Sequence, residues 1–214
     1  MAAGRVQQLS PVQTYSHLLA SALVGERLRR RTRVRLKAFL VGSVLPDLPL
    51  LLLTAWFFWS EARPGAGGGP AFGPAYDQLY FHDPVWIIST SLFHAPLLIA
   101  ALVLIGQRAR GKGRSWGGSL LWLGLGCGLH TLLDIPTHHH DGPLLFFPFD
   151  WSYRFPAPVS YWDPEFGAAV VAPVEHAVDA AILVYFVWLL LLRYRRKRRR
   201  FASVGNDEHT GRLP

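Results

Sequence analysis

WGGSLLWLGLGCGLHTLLDIPTHHHDG, residues 116–142, opens as an almost wholly apolar run. Its last thirteen positions then hold four histidines and two aspartates. A bilayer needs about 20 apolar residues per helix, so 116–135 predicts a membrane span. His130 and Asp134 lie four apart and share one helical face. Pro136 and Gly142 predict the stop and turn that follow. Working outward, three more stretches have the length and apolarity of a span: 38–59, 85–106 and 168–192. A fifth segment, 12–26, is shorter and more polar and reads as a short helix packed inside the bundle. The expected fold is all-α: a polytopic membrane helix bundle with four transmembrane spans plus one short N-terminal helix. Residues 1–192 form its single membrane-embedded domain, and 193–214 a basic, disordered cytoplasmic tail.

Composition agrees. Half of the 214 residues are hydrophobic, 17% are charged, and mean hydropathy is +0.20. An ordinary soluble domain is more polar. The formal net charge is +8, with Lys and Arg bunched in three runs at 27–37, 108–114 and 193–200. Each run abuts an apolar segment. That placement sets topology or touches anionic lipid, and no nucleic-acid partner is expected. The intervening stretches 60–84 and 136–167 each carry one Arg, against three and four acidic residues. The positive-inside rule then puts the basic runs and the C-terminus in the cytoplasm and the two acidic, aromatic loops outside. RPGAGGGPAFGP (63–74) reads as a tether, and the Trp and Tyr of the outer loops as an interfacial belt. Cys127 is the single cysteine, which excludes an internal disulfide and a cysteine-rich metal site. The opening MAAGRVQQLSP lacks the apolar core of a signal peptide.

Ionisable residues inside a membrane cost about 2.5–3.5 kcal/mol each and usually have a partner and a task. Asp47 lies between Pro46 and Pro49, which break or bend its helix. His94 falls mid-span, a position where interhelical hydrogen bonding is an equally good explanation. His17 lies midway along the first helix, and Glu175, His176 and Asp179 in the outer half of the last. At about 1.5 Å per residue, Asp47, His94, Glu175 and His130 lie roughly 18, 14, 10 and 8 Å below the outer ends of their spans. One cavity opening outward would serve them all. Histidines and carboxylates without cysteine suit zinc, manganese or iron. The expected ligands are His17, Asp47, His130 and Asp134, around a divalent metal assigned as zinc. Glu175, His138 and Asp141 are the expected proton-transfer residues. His139 and His140 are expected to be merely exposed, and Glu175, His176 and Asp179 have the alternative of pairing with one another.

The order of these motifs resembles a family of bacterial inner-membrane proteins labelled metal-dependent hydrolases, which includes an SOS-induced member. The shared positions are His17 in YSHLLA, Asp47 in LPD, His94 in LFHAP, and His130, Asp134, Thr137 and Gly142 before FFPF. The match covers about 12–150, and PVSYWDPEFG with APVEHA extends it to about 180. Pro49 stands where many members have a second Asp, and STSLFHAP lacks their basic residue near the middle histidine. The resemblance implies an inner-membrane location and hydrolase activity. Placement of the site in the outer leaflet suggests a lipid or lipid-linked substrate. A metal or proton transporter and a structural scaffold are the alternatives. The inner halves of the second and fourth spans, LIAALVLIG and ILVYFVWLLLL, are apolar, which favours a one-sided site over a transport path.

Overall fold

The computed structural model describes residues 13–61, 73–161 and 163–210. Among these the chain is all helical: α1 (Gln13–Leu28), α2 (Leu36–Gly42), α3 (Asp47–Glu61), α4 (Pro74–His82), α5 (Pro84–Ser91), α6 (Pro96–Gly111), α7 (Gly117–Asp134) and α8 (Ala168–Thr210). A 3₁₀ turn, Pro164–Phe166, precedes α8. Residues 1–12, most of the expected tether (to residue 72) and the last four residues lie outside the described chain.

Prolines decide where the helices break. A residue before proline is pushed out of the α region. Ala95, before Pro96, is accordingly extended at φ −69°, ψ 124°. The expected spans 38–59 and 85–106 are therefore two bent pairs, α2 with α3 at 45° and α5 with α6 at 44°. Each break frees carbonyls that a continuous helix would occupy. α7 takes one from each: His130 Nδ1 donates to the Ser43 carbonyl at 2.8 Å, and Thr131 Oγ1 to the His94 carbonyl at 3.1 Å.

Among the described residues one helix is long and apolar enough to cross a membrane, α8 over Ala168–Arg198; the count rises to three if each bent pair is one span. α7, expected as a fourth, does not reach that standard by itself. Its glycines, His130 and Asp134 lower its hydropathy, and its walls are other helices. It packs between α2 and α6, with Cys127 and His130 fully buried. Small residues permit this approach. A Cβ on Gly126 would sit 2.2 Å from the Phe39 carbonyl oxygen, and one on Gly106 2.4 Å from the Leu121 nitrogen. α1 lies against α2, α7 and α8.

The connections expected to lie outside are folded. α4 occupies part of the stretch read as a loop, and Asp83 caps α5 by accepting from the amides of Val85 and Trp86 at 2.9 and 3.1 Å. Phe57, Tyr76 and Trp86 form a buried aromatic knot. In the second connection the Arg154 guanidinium donates to the Gly142 carbonyl and lies over the rings of Tyr80 and Phe81. Tyr80 donates to the Asp141 carbonyl at 2.9 Å, and the Tyr161 amide to the Thr137 carbonyl at 3.2 Å. The segment is thus a cap over the end of α7, with Phe146, Phe149, Trp151 and Tyr153 exposed around it.

At the opposite end of α1, buried Glu26 gathers guanidinium groups. Arg29 Nε lies 2.5 Å from Oε2, and Arg193 donates to Oε1 at 3.0 Å. Arg27 covers the Tyr185 ring. The basic run 193–200 lies within α8. Arg and Lys are good helix formers, and Arg193 is anchored to α1.

Candidate metal centre

Four side chains from three elements converge. Asp47 begins α3, His94 sits in the α5–α6 break, and His130 and Asp134 lie one turn apart on α7. One ligand atom from each lies within 4.8 Å of the other three. His130 Nε2 is 3.0 Å from Asp134 Oδ2 and 3.3 Å from Asp47 Oδ1. His94 Nε2 is 3.1 Å from Asp134 Oδ2, 3.9 Å from Asp47 Oδ1 and 3.0 Å from His130 Nε2.

The backbone fixes the tautomers. A carbonyl only accepts, so His130 Nδ1, bonded to the Ser43 carbonyl, carries the proton. His94 Nδ1 does likewise toward the Thr90 carbonyl at 3.1 Å. In the neutral rings both Nε2 atoms are then lone pairs. They face each other at 3.0 Å beside two carboxylates. Four acceptors cannot sit this way without a positive charge between them. A divalent cation balances the two carboxylates while leaving both imidazoles neutral, and nitrogen and oxygen donors of this type hold zinc and its neighbours. The chemistry of the donor set fits a metal.

Outer partners hold the same groups. Thr14 Oγ1 donates to Asp47 Oδ2 at 2.5 Å, leaving Oδ1 turned to the histidines. Asp134 keeps Oδ2 inward, while Oδ1 meets His17 Nε2 at 2.9 Å. That last contact lacks hydrogen-bond alignment and is electrostatic. The His17 ring lies 3.9 Å from that of His130. Such outer contacts orient metal ligands and set their basicity.

The expected set His17, Asp47, His130 and Asp134 is thus gathered in one place, with His94 in the converging four and His17 one step behind Asp134. The break before Pro96, not residue type, puts His94 there. Thr14, Ser43 and Thr90 were missed; Pro46 and Pro96 were the sequence signals for freed carbonyls near positions 43 and 90.

The expected proton-transfer residues separate. His138 stands over the centre: its Nδ1 donates to the Asp134 carbonyl at 3.1 Å and lies 3.8 Å from Oδ1. Burial pushes this imidazole down, but the Asp141 and Asp134 carboxylates outweigh burial and raise its pKa. Tyr161 packs edge-on against it, and burial pushes that phenol up to about 12, so it is a neutral hydroxyl. Asp141 is reached by the cap through its carbonyl. Glu175 lies on α8 beside Asp179, on the far side of α1. His139 is not merely exposed: Nδ1 donates to the Ala157 carbonyl and its ring stacks on Phe166. His140 is exposed, 4.0 Å from Asp163.

No curated protein and no solved structure matches the chain. A family model does, across residues 12–201, which takes in every element from α1 to the basic run of α8. The four converging His and Asp residues all fall within that match, and the chain belongs to the YdjM inner membrane protein family.

Proposed function

We propose that the protein is a metal-dependent membrane hydrolase whose ion, zinc, is held by Asp47, His94, His130 and Asp134. The observation that carries this reading is the pair of Nε2 lone pairs 3.0 Å apart, each ring pinned through Nδ1 to a backbone carbonyl. An ion there would supply Lewis acidity and lower the pKa of water. The chain's own residues do the rest. Thr14 and His17 orient the two carboxylates. His138, with Asp141 acting on its charge, is the group placed to accept or return a proton on the capped side. Glu175 belongs to a separate cluster and is not assigned that step.

The substrate proposed is a lipid or lipid-linked ester, since a site among membrane helices is reached most readily by a membrane-borne molecule. α7 is proposed as a fourth span beside α8 and the two bent pairs. The basic runs, including the end of α8 and the tail after it, are placed in the cytoplasm, and the site faces outward.

Metal content of detergent-purified protein, by plasma mass spectrometry, tests the centre. About one ion per chain is expected in wild type, with loss in His130→Ala and Asp134→Ala. No ion in equally folded samples would remove the basis of the hydrolase reading and leave a proton pathway or a scaffold. A loaded protein that hydrolyses no lipid-class ester in a broad screen would overturn the substrate assignment.

A further inference from the structure

Residues 14–17 of α1, Thr-Tyr-Ser-His, each meet a polar group on another element. Thr14 and His17 serve the metal centre. Tyr15 and Ser16 turn to α8, where Tyr15 Oη lies 2.9 Å from His176 Nδ1 and Ser16 Oγ donates to Asp179 Oδ2 at 2.6 Å. Asp179 is only 5% exposed, inside the apolar stretch Ala168–Arg198. Glu175 lies one helical turn before it. Its Oε2 is buried and has no hydrogen-bond partner among the described residues.

This arrangement is poor for two anions. The charged and titratable groups acting on Glu175 are Asp179 and His176 on α8 and His17 on α1, with no Lys or Arg among them. Tyr15 on α1 and Tyr161 in the cap face the same two carboxylates. A carboxylate oxygen buried without a donor carries the full cost of lost hydration. Two carboxylates sharing a site do not both ionise readily. A neutral carboxyl beside a carboxylate lifts the repulsion and costs less to bury than a second charge.

We propose that Glu175 and Asp179 form a proton-binding pair at the α1–α8 seam, separate from the metal centre, holding one proton between two carboxyl groups. Ser16 donates to Asp179, and Glu175 carries the proton. Release leaves two carboxylates and one proton, which exits along the seam. The occupant is a proton rather than a metal, because among the described residues the group of three or more ligands that converges closely enough for an ion is the other centre. Because Ser16 and His17 are consecutive, one turn of α1 holds both sites.

The test is infrared spectroscopy of the full chain in lipid, titrated with and without bound metal, comparing wild type with Glu175→Gln and Asp179→Asn. A protonated-carboxyl band is expected at neutral pH in both metal states, lost in Glu175→Gln. In Asp179→Asn the remaining band should titrate at lower pH, because the neighbouring negative charge is gone. Metal content should be unchanged in Glu175→Gln, so failure of the metal reading leaves this result standing, and the reverse. Glu175→Gln matches the neutral acid in shape and decides the matter alone if Asp179→Asn does not fold. A band absent from wild type, unmoved by Glu175→Gln, or removed by Asp134→Asn instead, would overturn the proposal.

Discussion

Two polar clusters sit near opposite ends of α1, and they are built by opposite rules. At Glu26 one carboxylate meets the guanidinium groups of Arg29, Arg30 and Arg193, so charge is more than balanced and the remaining donors reach water. Around Asp134, two carboxylates and two histidine lone pairs converge, and no guanidinium or ammonium group lies among the converging four. The first cluster is closed by the chain itself. The second offers its four donor atoms to a cation. Burial alone does not separate them, since Glu26 and Asp134 are 7% and 5% exposed. What separates them is whether the protein supplies the opposite charge, and that distinguishes a clamp from a site.

The largest expected effect breaks the open cluster. Asp134→Ala removes the carboxylate shared by both histidines, and bound metal should fall from about one ion per chain to none by plasma mass spectrometry. His94→Ala should do nearly the same, although its position in the sequence alone fits a helix-to-helix hydrogen bond equally well. Thr14→Val leaves all four ligands but frees Asp47 Oδ2. Loss of such an outer contact weakens metal binding about tenfold, or about 1.4 kcal/mol, to be read by competition with a chelator.

The closed cluster should respond in the other currency. Glu26→Gln should lower the unfolding temperature by a few degrees, reflecting about 1 kcal/mol, because its arginines are half exposed and screened by solvent. Metal content should not change. An equal loss of metal in this variant would erase the distinction between the clusters. The smallest effect lies in the cap. Asp150 accepts from the Ser152 amide, the Ser152 hydroxyl and the Tyr153 amide, and these donors lower its pKa. A depressed carboxylate stabilises its turn above the ordinary carboxylate pKa and loses that contribution as pH falls through the lowered value. Asp150→Ala should speed protease cleavage of the cap at neutral pH, with the difference from wild type vanishing in acid and metal content untouched.

Much of the frame could be read from residue order. Hydrophobic length predicted the helical stretches, and Pro46 and Pro49 predicted a bend in the first of them. The i,i+4 spacing of His130 and Asp134 put two of the converging groups on one face. Three things were not legible. His94 enters the centre because the chain turns just before Pro96, and sequence periodicity assumes a continuous helix there. The carbonyls of Ser43 and Thr90 act as backbone groups, which no side-chain pattern marks. Arg193 closes on Glu26 across 167 positions, a pairing that local charge does not mark. The glycines of α7 were read as part of an apolar run, whereas their task is to let α2 and α6 approach its backbone.

The most direct test of the central claim is X-ray absorption at the edge of the bound metal in purified protein. Two imidazole nitrogens on one ion are expected at about 2.0–2.1 Å, as zinc requires, with carboxylate oxygens completing the shell and one imidazole lost in His94→Ala. A bound ion with no imidazole in its shell, or a shell unchanged in His94→Ala and His130→Ala alike, would contradict it.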